Sequence, residues 1–109
     1  MNILFICSRN QWRSPTAEKI FQGHQHHQFR SAGTSESARI KISSKLLEWS
    51  DLILVMEKKH KQQLISKYGP VAREKQIEVL DIPDDYVFMD EELIEMLHTS
   101  VTPYLEEQC

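Results

Sequence analysis

The sequence predicts an α/β fold in which helices cover both faces of a four-stranded parallel sheet. Short, wholly apolar segments alternate along the chain with amphipathic ones, which indicates strands alternating with helices. The segments 2–7 and 51–56 lack polar alternation, as is typical of strands buried on both faces. With 109 residues, the chain is long enough for one domain with its own core. We therefore expect a single three-layer domain over residues 1–109.

The first half of the chain supplies two strands and two helices in this prediction. The first strand is expected at Asn2–Cys7, and the helix after it has Ser14 as its N-cap and Pro15 as its first residue. Gly23 and the polar residues after it end that helix. A second strand is expected at 29–32, before a short helix whose apolar residues are Leu46, Leu47 and Trp49.

The second half repeats the alternation. The apolar strand 51–56 precedes an amphipathic helix that ends at Gly69-Pro70, and the last strand is expected at 77–80. After the loop "DIPDDY", Asp90 caps a final helix, and Pro103 kinks this helix or splits off its last turn. Its apolar face consists of Leu93, Met96 or Leu97, Val101, Tyr104 and Leu105.

Composition excludes several classes of protein. The chain is 40% hydrophobic and 27% charged, as globular proteins are, and its net charge of −3 argues against a general nucleic-acid or membrane-surface binder. No apolar run is long enough to span a bilayer, and the first residues lack the features of a secretory signal. Two cysteines, Cys7 and Cys109, make neither a disulfide framework nor a zinc set. These features favour a cytoplasmic protein with reduced thiols.

Chemistry-bearing residues converge on one edge of the predicted sheet. Ligands bind parallel sheets at the carboxyl ends of the strands. Cys7 ends the first strand, and Asp81, Asp84 and Asp85 follow the last one. We therefore expect the cysteine and an aspartate to face the same site.

The segment from Cys7 to Ser14 has the spacing C-x5-R-S between a strand and a helix. Backbone N–H groups of such a loop, together with the helix N-terminus, converge on an anion of phosphate size. The Arg13 guanidinium can grip two phosphate oxygens, and the Ser14 hydroxyl can donate to the Cys7 sulfur and favour its thiolate. A thiolate under a bound phosphoryl group is placed for in-line attack on phosphorus.

This loop resembles that of the low-molecular-weight protein tyrosine phosphatase family. The resemblance continues through "SAGT" (31–34), "ARIKIS" (38–43), "DLILVMEKKH" (51–60) and "VLDIPDDY" (79–86), in the family's order. It implies that Asn10 takes a left-handed conformation, which asparagine tolerates. It further implies that Ser31 hydrogen-bonds Asn10 and holds the loop rigid.

The family resemblance also implies a general acid. "DIPDDY" is similar to the family's Asp-Pro-Tyr segment, which places Asp84 as the acid and then the base, and Tyr86 at the substrate wall. Asp85 stands where the family has proline and is a competing acid, while Asp81 is a weaker candidate. The alternative is that these aspartates form a solvated turn around Pro83.

Three departures from the family bear on specificity. Trp12 replaces a cysteine that forms a protective disulfide in many members, and it either walls the pocket mouth or packs beside the loop. Ser8, Arg9 and Gln11 make the rim more polar and cationic than a phosphotyrosine ring prefers. The segment 34–51 is also shorter than in common members, which removes part of the wall that faces the substrate.

Two histidine-containing segments are interpreted as solvent-exposed. His24, His26 and His27 lie in a polar turn without a carboxylate or thiol partner, so a metal site is not expected. The segment Lys58–Lys61, which includes His60, is interpreted as the wet face of a helix.

We predict strand order 2-1-3-4 and a cysteine-dependent phosphomonoesterase that works through a phosphocysteine. Cys7, Arg13 and Asp84 are the predicted catalytic residues. The predicted substrate-binding residues are Ser8, Arg9, Asn10, Gln11, Trp12, Ser14 and Tyr86, and Ser31 supports the loop.

No metal or cofactor is required, because arginine and backbone amides stabilise the charge, and the expected partner is a phosphotyrosine protein or a small phosphomonoester. The alternatives are a thiol-linked arsenate reductase, for which Cys109 is the one available resolving cysteine, and a cysteine phosphocarrier, which needs neither Arg13 nor Asp84.

Overall fold

Four parallel strands form the sheet, in the predicted order β2-β1-β3-β4. The computed structural model describes residues 1–106. The strands are β1 (Asn2–Cys7), β2 (Gln28–Gly33), β3 (Leu52–Val55) and β4 (Gln76–Val79). The helices are α1 (Arg13–Phe21), α2 (Ser44–Trp49), α3 (Lys58–Tyr68), α4 (Pro70–Arg73) and α5 (Glu91–Glu106). The predicted fold class and strand order are confirmed.

The central strand β1 is buried on both faces because alternate side chains enter two separate cores. Ile3 and Phe5 pack with α1 and α5, whereas Leu4 and Ile6 pack with α2, α3 and α4. Residues 3–6 have no exposed surface, which explains the unbroken apolar run in the sequence. The sheet register pairs Cys7 with Gly33, so the ends of these strands meet at one edge.

The predicted N-cap of the first helix is wrong. The helix begins at Arg13, and its N-cap is Trp12, whose side chain makes no capping hydrogen bond. The Ser14 hydroxyl instead lies 3.0 Å from the Cys7 sulfur, so the site uses the group that would otherwise cap the helix.

Two other elements differ from the predicted boundaries. Gly69, with φ of 53°, ends α3 as predicted, but Pro70 then starts the short helix α4, which the sequence reading missed. The helix α5 runs through Pro103 to Glu106, so proline does not split off its last turn. Asp90 caps this helix as predicted, because its Oδ1 accepts a hydrogen bond of 2.9 Å from the Glu92 N–H.

The buried face of α5 is the one that its periodicity predicts. Leu93, Leu97, Val101 and Leu105 are buried, while Met96 and Tyr104 are partly buried against the same core. No helix within residues 1–106 combines the length and apolar character that crossing a bilayer demands.

We expect Leu97→Ala to lower the free energy of unfolding by about 3 kcal/mol, because a buried leucine loses its contacts and leaves a cavity. Leu97 has no exposed surface. Urea unfolding followed by circular dichroism measures the change. The exposed Glu95 on the same helix supplies the control Glu95→Ala, which should shift stability by less than about 0.5 kcal/mol. Equal stabilities for the two variants would contradict the packing of α5.

Candidate active site

A loop joins the end of β1 to the start of α1 and forms the floor of a cavity. Cys7, at the strand end, is 3% exposed, and Arg13 begins the helix. The cavity has a volume of about 230 Å³. It is lined by Cys7, Ser8, Arg9, Gln11, Trp12, Arg13 and Asp84. A concave site therefore lies above the sulfur, at the predicted edge of the sheet.

The carbonyl groups of this loop are held from outside by the segment 34–39. The loop carbonyls of residues 7–10 accept hydrogen bonds of 2.9 to 3.1 Å from Thr34 N, Ser35 N, Arg39 N and Arg39 Nε. In a trans peptide the C=O of one residue and the N–H of the next point in opposite directions. The N–H groups of residues 8–11 therefore point away from that segment.

One of these N–H groups contacts the sulfur directly. The Asn10 N–H donates to Cys7 Sγ at 3.2 Å. Asn10 has φ of 56°, the left-handed conformation that the family resemblance implies. The loop thus turns around the sulfur with amide hydrogens on its inner side, which is the arrangement that binds an anion.

A chain of hydrogen bonds beneath the loop joins Glu18 to the sulfur, and Asn10 donates in both directions along it. The Ser31 hydroxyl donates to Glu18 Oε1 at 2.5 Å, so its oxygen is free to accept from Asn10 Nδ2 at 2.8 Å. Asn10 Nδ2 also donates to Ser14 Oγ at 2.9 Å. The Ser14 hydroxyl lies 3.0 Å from Cys7 Sγ and 3.4 Å from the Ala32 carbonyl oxygen, and these are the two acceptors for its proton. The chain thus brings a hydroxyl that can donate a hydrogen bond to the Cys7 sulfur.

Arg13 is almost fully buried although it carries a charge. Its guanidinium nitrogen Nη1 donates to Glu57 Oε1 at 2.5 Å and to the Ile82 carbonyl at 2.9 Å. Its Nε lies 3.7 Å from Asp84 Oδ1. Nη1 makes both of these hydrogen bonds. The other edge of the guanidinium, formed by Nε and Nη2, makes neither of them and is suited to binding two oxygens of an anion.

The three predicted acids occupy different places. Asp84 lines the cavity, and its side chain is 52% exposed. Asp85 is exposed outside the lining, and Asp81 lines a neighbouring depression with Glu57, Lys58, Lys59 and Pro83. The geometry brings Asp84, rather than either neighbour, to Arg13 and Cys7.

Some predicted substrate-binding residues lie away from the cavity surface. Asn10 and Ser14 are fully buried beneath the loop, where they contact each other and Cys7. Tyr86 is half-buried and packs against the core that contains α5, outside the lining residues. Trp12, by contrast, lines the cavity with 44% of its surface exposed.

Glu57 and His60 were missed as site residues. The prediction of His60 as part of a solvent-exposed helix face is wrong, because its side chain has no exposed surface. Glu57 caps α3 and its carboxylate binds Arg13. Burial by itself would raise the pKa of Glu57, but the hydrogen bond and the charge of Arg13 outweigh it, so the pKa lies below its ordinary value. A signal for Glu57 existed, because it follows β3 at the same sheet edge as Cys7.

The histidine-rich turn differs partly from its interpretation. His24 and His26 are exposed as expected, but His27 is buried, and its Nδ1 lies 3.2 Å from the amino group of Met1. Among residues 1–106, no three histidine, cysteine or acidic side chains are arranged to hold a metal ion. Cys109 lies outside the described residues.

Comparisons with known proteins agree with this geometry. A family model for low molecular weight phosphotyrosine protein phosphatase matches residues 2–42, which include the whole loop. Among solved structures, the tyrosine phosphatase Wzb from Escherichia coli K30, in complex with phosphate, is similar to this chain, with 28% sequence identity. It aligns over 99% of this chain and 98% of its own, with a TM-score of 0.77. Over residues 2–42, the chain therefore resembles the low-molecular-weight phosphotyrosine protein phosphatases.

Other relatives extend the family comparison. A low molecular weight protein tyrosine phosphatase from Streptococcus pyogenes shares the fold with a TM-score of 0.81 at 18% identity, over 99% of this chain and 93% of that one. A protein-arginine-phosphatase of Bacillus subtilis (strain 168) is 29% identical over 96 residues, which cover 63% of this chain. The chain spans 64% of the length of that curated relative.

We expect Gly33→Ala to destabilise the protein by about 1 to 3 kcal/mol, because there is no room for a side chain. A Cβ at Gly33 would lie 2.5 Å from the Ser8 carbonyl oxygen and 2.8 Å from Ala38 Cβ. Chemical unfolding measures the loss, with Gln28→Ala at an exposed position of the same strand as control. A Gly33→Ala protein as stable as wild type would contradict the close approach of β2 to the loop.

We expect stability to fall as the pH is lowered from 6.5 towards 4, in part because of His60. Burial, followed by the charges of Arg13 and Lys59, lowers the pKa of His60 from 6.5 to about 4, although Glu57 and Asp84 oppose the shift. The unfolded chain therefore binds a proton at higher pH than the folded one, and folding loses on the order of 2 to 3 kcal/mol across this range.

Unfolding of wild type and His60→Asn at pH 7.0, 5.5 and 4.5 measures this contribution. The difference in stability between the two proteins should shrink as the pH falls. The exposed His26 supplies the control, since His26→Asn should follow the wild-type dependence. A constant difference between wild type and His60→Asn would show that His60 is not held neutral.

Proposed function

We propose that this chain is a cysteine-dependent phosphomonoesterase that removes phosphate from phosphorylated proteins. The observation that carries the proposal is the position of Cys7 Sγ at the base of a concave loop, with amide hydrogens and Arg13 around it. The match of residues 2–42 to the phosphatase family model supports the same chemistry.

The first step transfers the phosphoryl group to sulfur. The Cys7 thiolate attacks phosphorus in line with the leaving oxygen, so an S–P bond forms as the P–O bond breaks. Asp84 gives a proton to the leaving oxygen. The loop amides and the Nε and Nη2 edge of Arg13 bind the three equatorial oxygens, where they stabilise the negative charge of the transition state.

The second step hydrolyses the phosphocysteine. Asp84, now a carboxylate, accepts a proton from water as the water oxygen attacks phosphorus. The S–P bond breaks, inorganic phosphate leaves, and Cys7 returns to the thiolate. The Ser14 hydroxyl donates a hydrogen bond to that sulfur, which makes the thiolate a better leaving group.

Phosphotyrosine is the protein substrate that the cavity suits best. Trp12 presents an exposed indole at the cavity, against which an aromatic leaving group can pack. Phosphoarginine is the second candidate, since the curated Bacillus subtilis relative is a protein-arginine-phosphatase. Arg9 also lines the cavity, and although it makes the rim more cationic than a phosphotyrosine ring prefers, its charge would repel a guanidinium leaving group more strongly, which favours phosphotyrosine over phosphoarginine.

Both alternative functions of the same loop are less well supported. An arsenate reductase of this type needs a resolving cysteine near Cys7, and Cys109 is the one other cysteine in the chain. A phosphocarrier needs neither the buried arginine nor an acid beside it. The relatives described above are phosphatases, and none is named as a reductase or a carrier.

We expect Cys7→Ser to lower kcat for p-nitrophenyl phosphate by at least about 1000-fold, because the nucleophile is lost. Asp84→Asn should lower kcat by about 100-fold or more, since proton transfer contributes that much, whereas the matched variant Asp85→Asn should remain near wild type. Full activity in Cys7→Ser would overturn the mechanism. Loss in Asp85→Asn with activity retained in Asp84→Asn would reassign the acid.

Peptides of one sequence that carry phosphotyrosine or phosphoarginine test the substrate assignment. We expect the higher kcat/KM with phosphotyrosine, and Trp12→Ala should narrow the difference because it removes the aromatic surface. Faster release of phosphate from the phosphoarginine peptide would make this chain an arginine phosphatase instead.

A further inference from the structure

His60 is a buried side chain that the mechanism above does not use. It lies in the first turn of α3, beneath the loop, and both of its ring nitrogens are engaged. Nδ1 is 3.0 Å from the Glu57 backbone nitrogen, and Nε2 is 2.9 Å from Ser8 Oγ. Both nitrogens of the His60 ring are therefore held in place, and one of them contacts Ser8, the residue that directly follows Cys7.

The first of these contacts decides where the ring proton lies. A backbone N–H can only donate, so Nδ1 must accept and carries no proton. Because the pKa of His60 is lowered to about 4 by burial, the ring is neutral at pH 7 and its single proton is on Nε2. Nε2–H therefore donates to Ser8 Oγ.

The second contact then determines what Ser8 can do. A hydroxyl that accepts from His60 keeps its own proton for another acceptor. Ser8 lines the cavity beside Cys7, and its backbone carbonyl is held on the outer side by the Ser35 N–H. The hydroxyl proton is thus free to point to an anion in the cavity.

We propose that His60 is a positioning residue that makes the Ser8 hydroxyl a hydrogen-bond donor to a bound phosphoryl oxygen. This inference rests on the proposed function, because it needs an oxyanion above Cys7. It adds one side-chain donor to the backbone amides and Arg13.

The first turn of α3 thereby positions two donors at once. The Glu57 carboxylate holds Arg13 Nη1, and the Glu57 N–H fixes the tautomer of His60. The guanidinium and the Ser8 hydroxyl are consequently set by the same turn of helix. A change in that turn would alter both contacts to the phosphoryl group.

Substitutions at Ser8 and His60 separate this role from a structural one. Ser8→Ala removes the donor, whereas Ser8→Thr keeps a hydroxyl. His60→Asn keeps an acceptor for the Glu57 N–H near the place of Nδ1 but is too short to reach Ser8. The measurements are kcat/KM for p-nitrophenyl phosphate, the inhibition constant of inorganic phosphate, and thermal unfolding.

We expect Ser8→Ala to lower kcat/KM by roughly 10-fold or more and to weaken inhibition by phosphate, as loss of a hydrogen bond to a charged group does. Ser8→Thr should recover most of both. His60→Asn should resemble Ser8→Ala, and adding it to Ser8→Ala should cause little further loss in kcat/KM. Recovery by threonine, and the absence of a further loss, are effects that reduced stability alone would not produce.

Three outcomes would overturn the inference. The first is a Ser8→Ala protein that equals wild type in kcat/KM and in phosphate inhibition. The second is a Ser8→Thr protein as impaired as Ser8→Ala, and the third is a His60→Asn substitution that reduces kcat/KM equally with and without Ser8. If His60→Asn does not fold, the comparison of Ser8→Ala with Ser8→Thr decides. A wild-type protein without phosphatase activity would instead refute the proposed function, whereas an active wild type with an unchanged Ser8→Ala refutes only the role of His60.

Discussion

The burial of the Arg13 guanidinium is the constraint on which the rest of the site depends. Arg13 is 2% exposed and is among the largest fully buried side chains of the protein. A charge taken out of water is costly unless it is paired and hydrogen-bonded. Here the compensation comes from Glu57 after β3 and from the Ile82 carbonyl after β4. The ends of these two strands must therefore lie beside the loop that follows β1.

The sheet provides this arrangement because all four strands are parallel. Cys7, Val55 and Val79 end their strands at one edge, and the residues after them meet there. The remaining strand, β2, ends at Gly33, whose lack of a side chain lets it lie against the loop. The segment after β2 then holds the loop carbonyls outward. Each strand thus contributes one part of the support for the sulfur.

The polar groups beneath the loop have fixed roles as hydrogen-bond donors or acceptors. Glu18 can only accept when ionised, so Ser31 donates to it, and Asn10 must then supply its amide hydrogens to Ser31 and Ser14. The same logic applies to His60, whose tautomer is set by a backbone N–H. In both cases a group that can only donate or only accept decides the role of a hydroxyl near the cavity. The site is preorganised for an anion before the anion binds.

The parallel sheet and the anion-binding loop could be predicted from the residues alone, whereas the strand order was predicted only after the family resemblance had been recognised. Apolar runs without polar alternation predict strands buried on both faces, and the C-x5-R-S spacing between a strand and a helix predicts an anion cradle, because these are local patterns. Asn10 and Ser31 were predicted through the family resemblance, and the structure contains their hydrogen bond. The position of Asp84 after the last strand predicted that it would lie at the same sheet edge as Cys7, where it lines the cavity, and the resemblance supplied its predicted role as the acid.

The roles of Ser14, His60 and Glu57 beneath and beside the loop became evident only from how the elements pack together. Ser14 has the local signature of an N-cap, yet its hydroxyl contacts Cys7, because the sulfur lies within reach only after β1 and α1 pack together. His60 lies among lysines and looks solvent-exposed in sequence, yet it is buried beneath Ser8, which is 52 residues away along the chain. Glu57 and Arg13 are separated by 44 residues. Such contacts have no local pattern, since they depend on the distance between elements in space rather than on spacing along the chain.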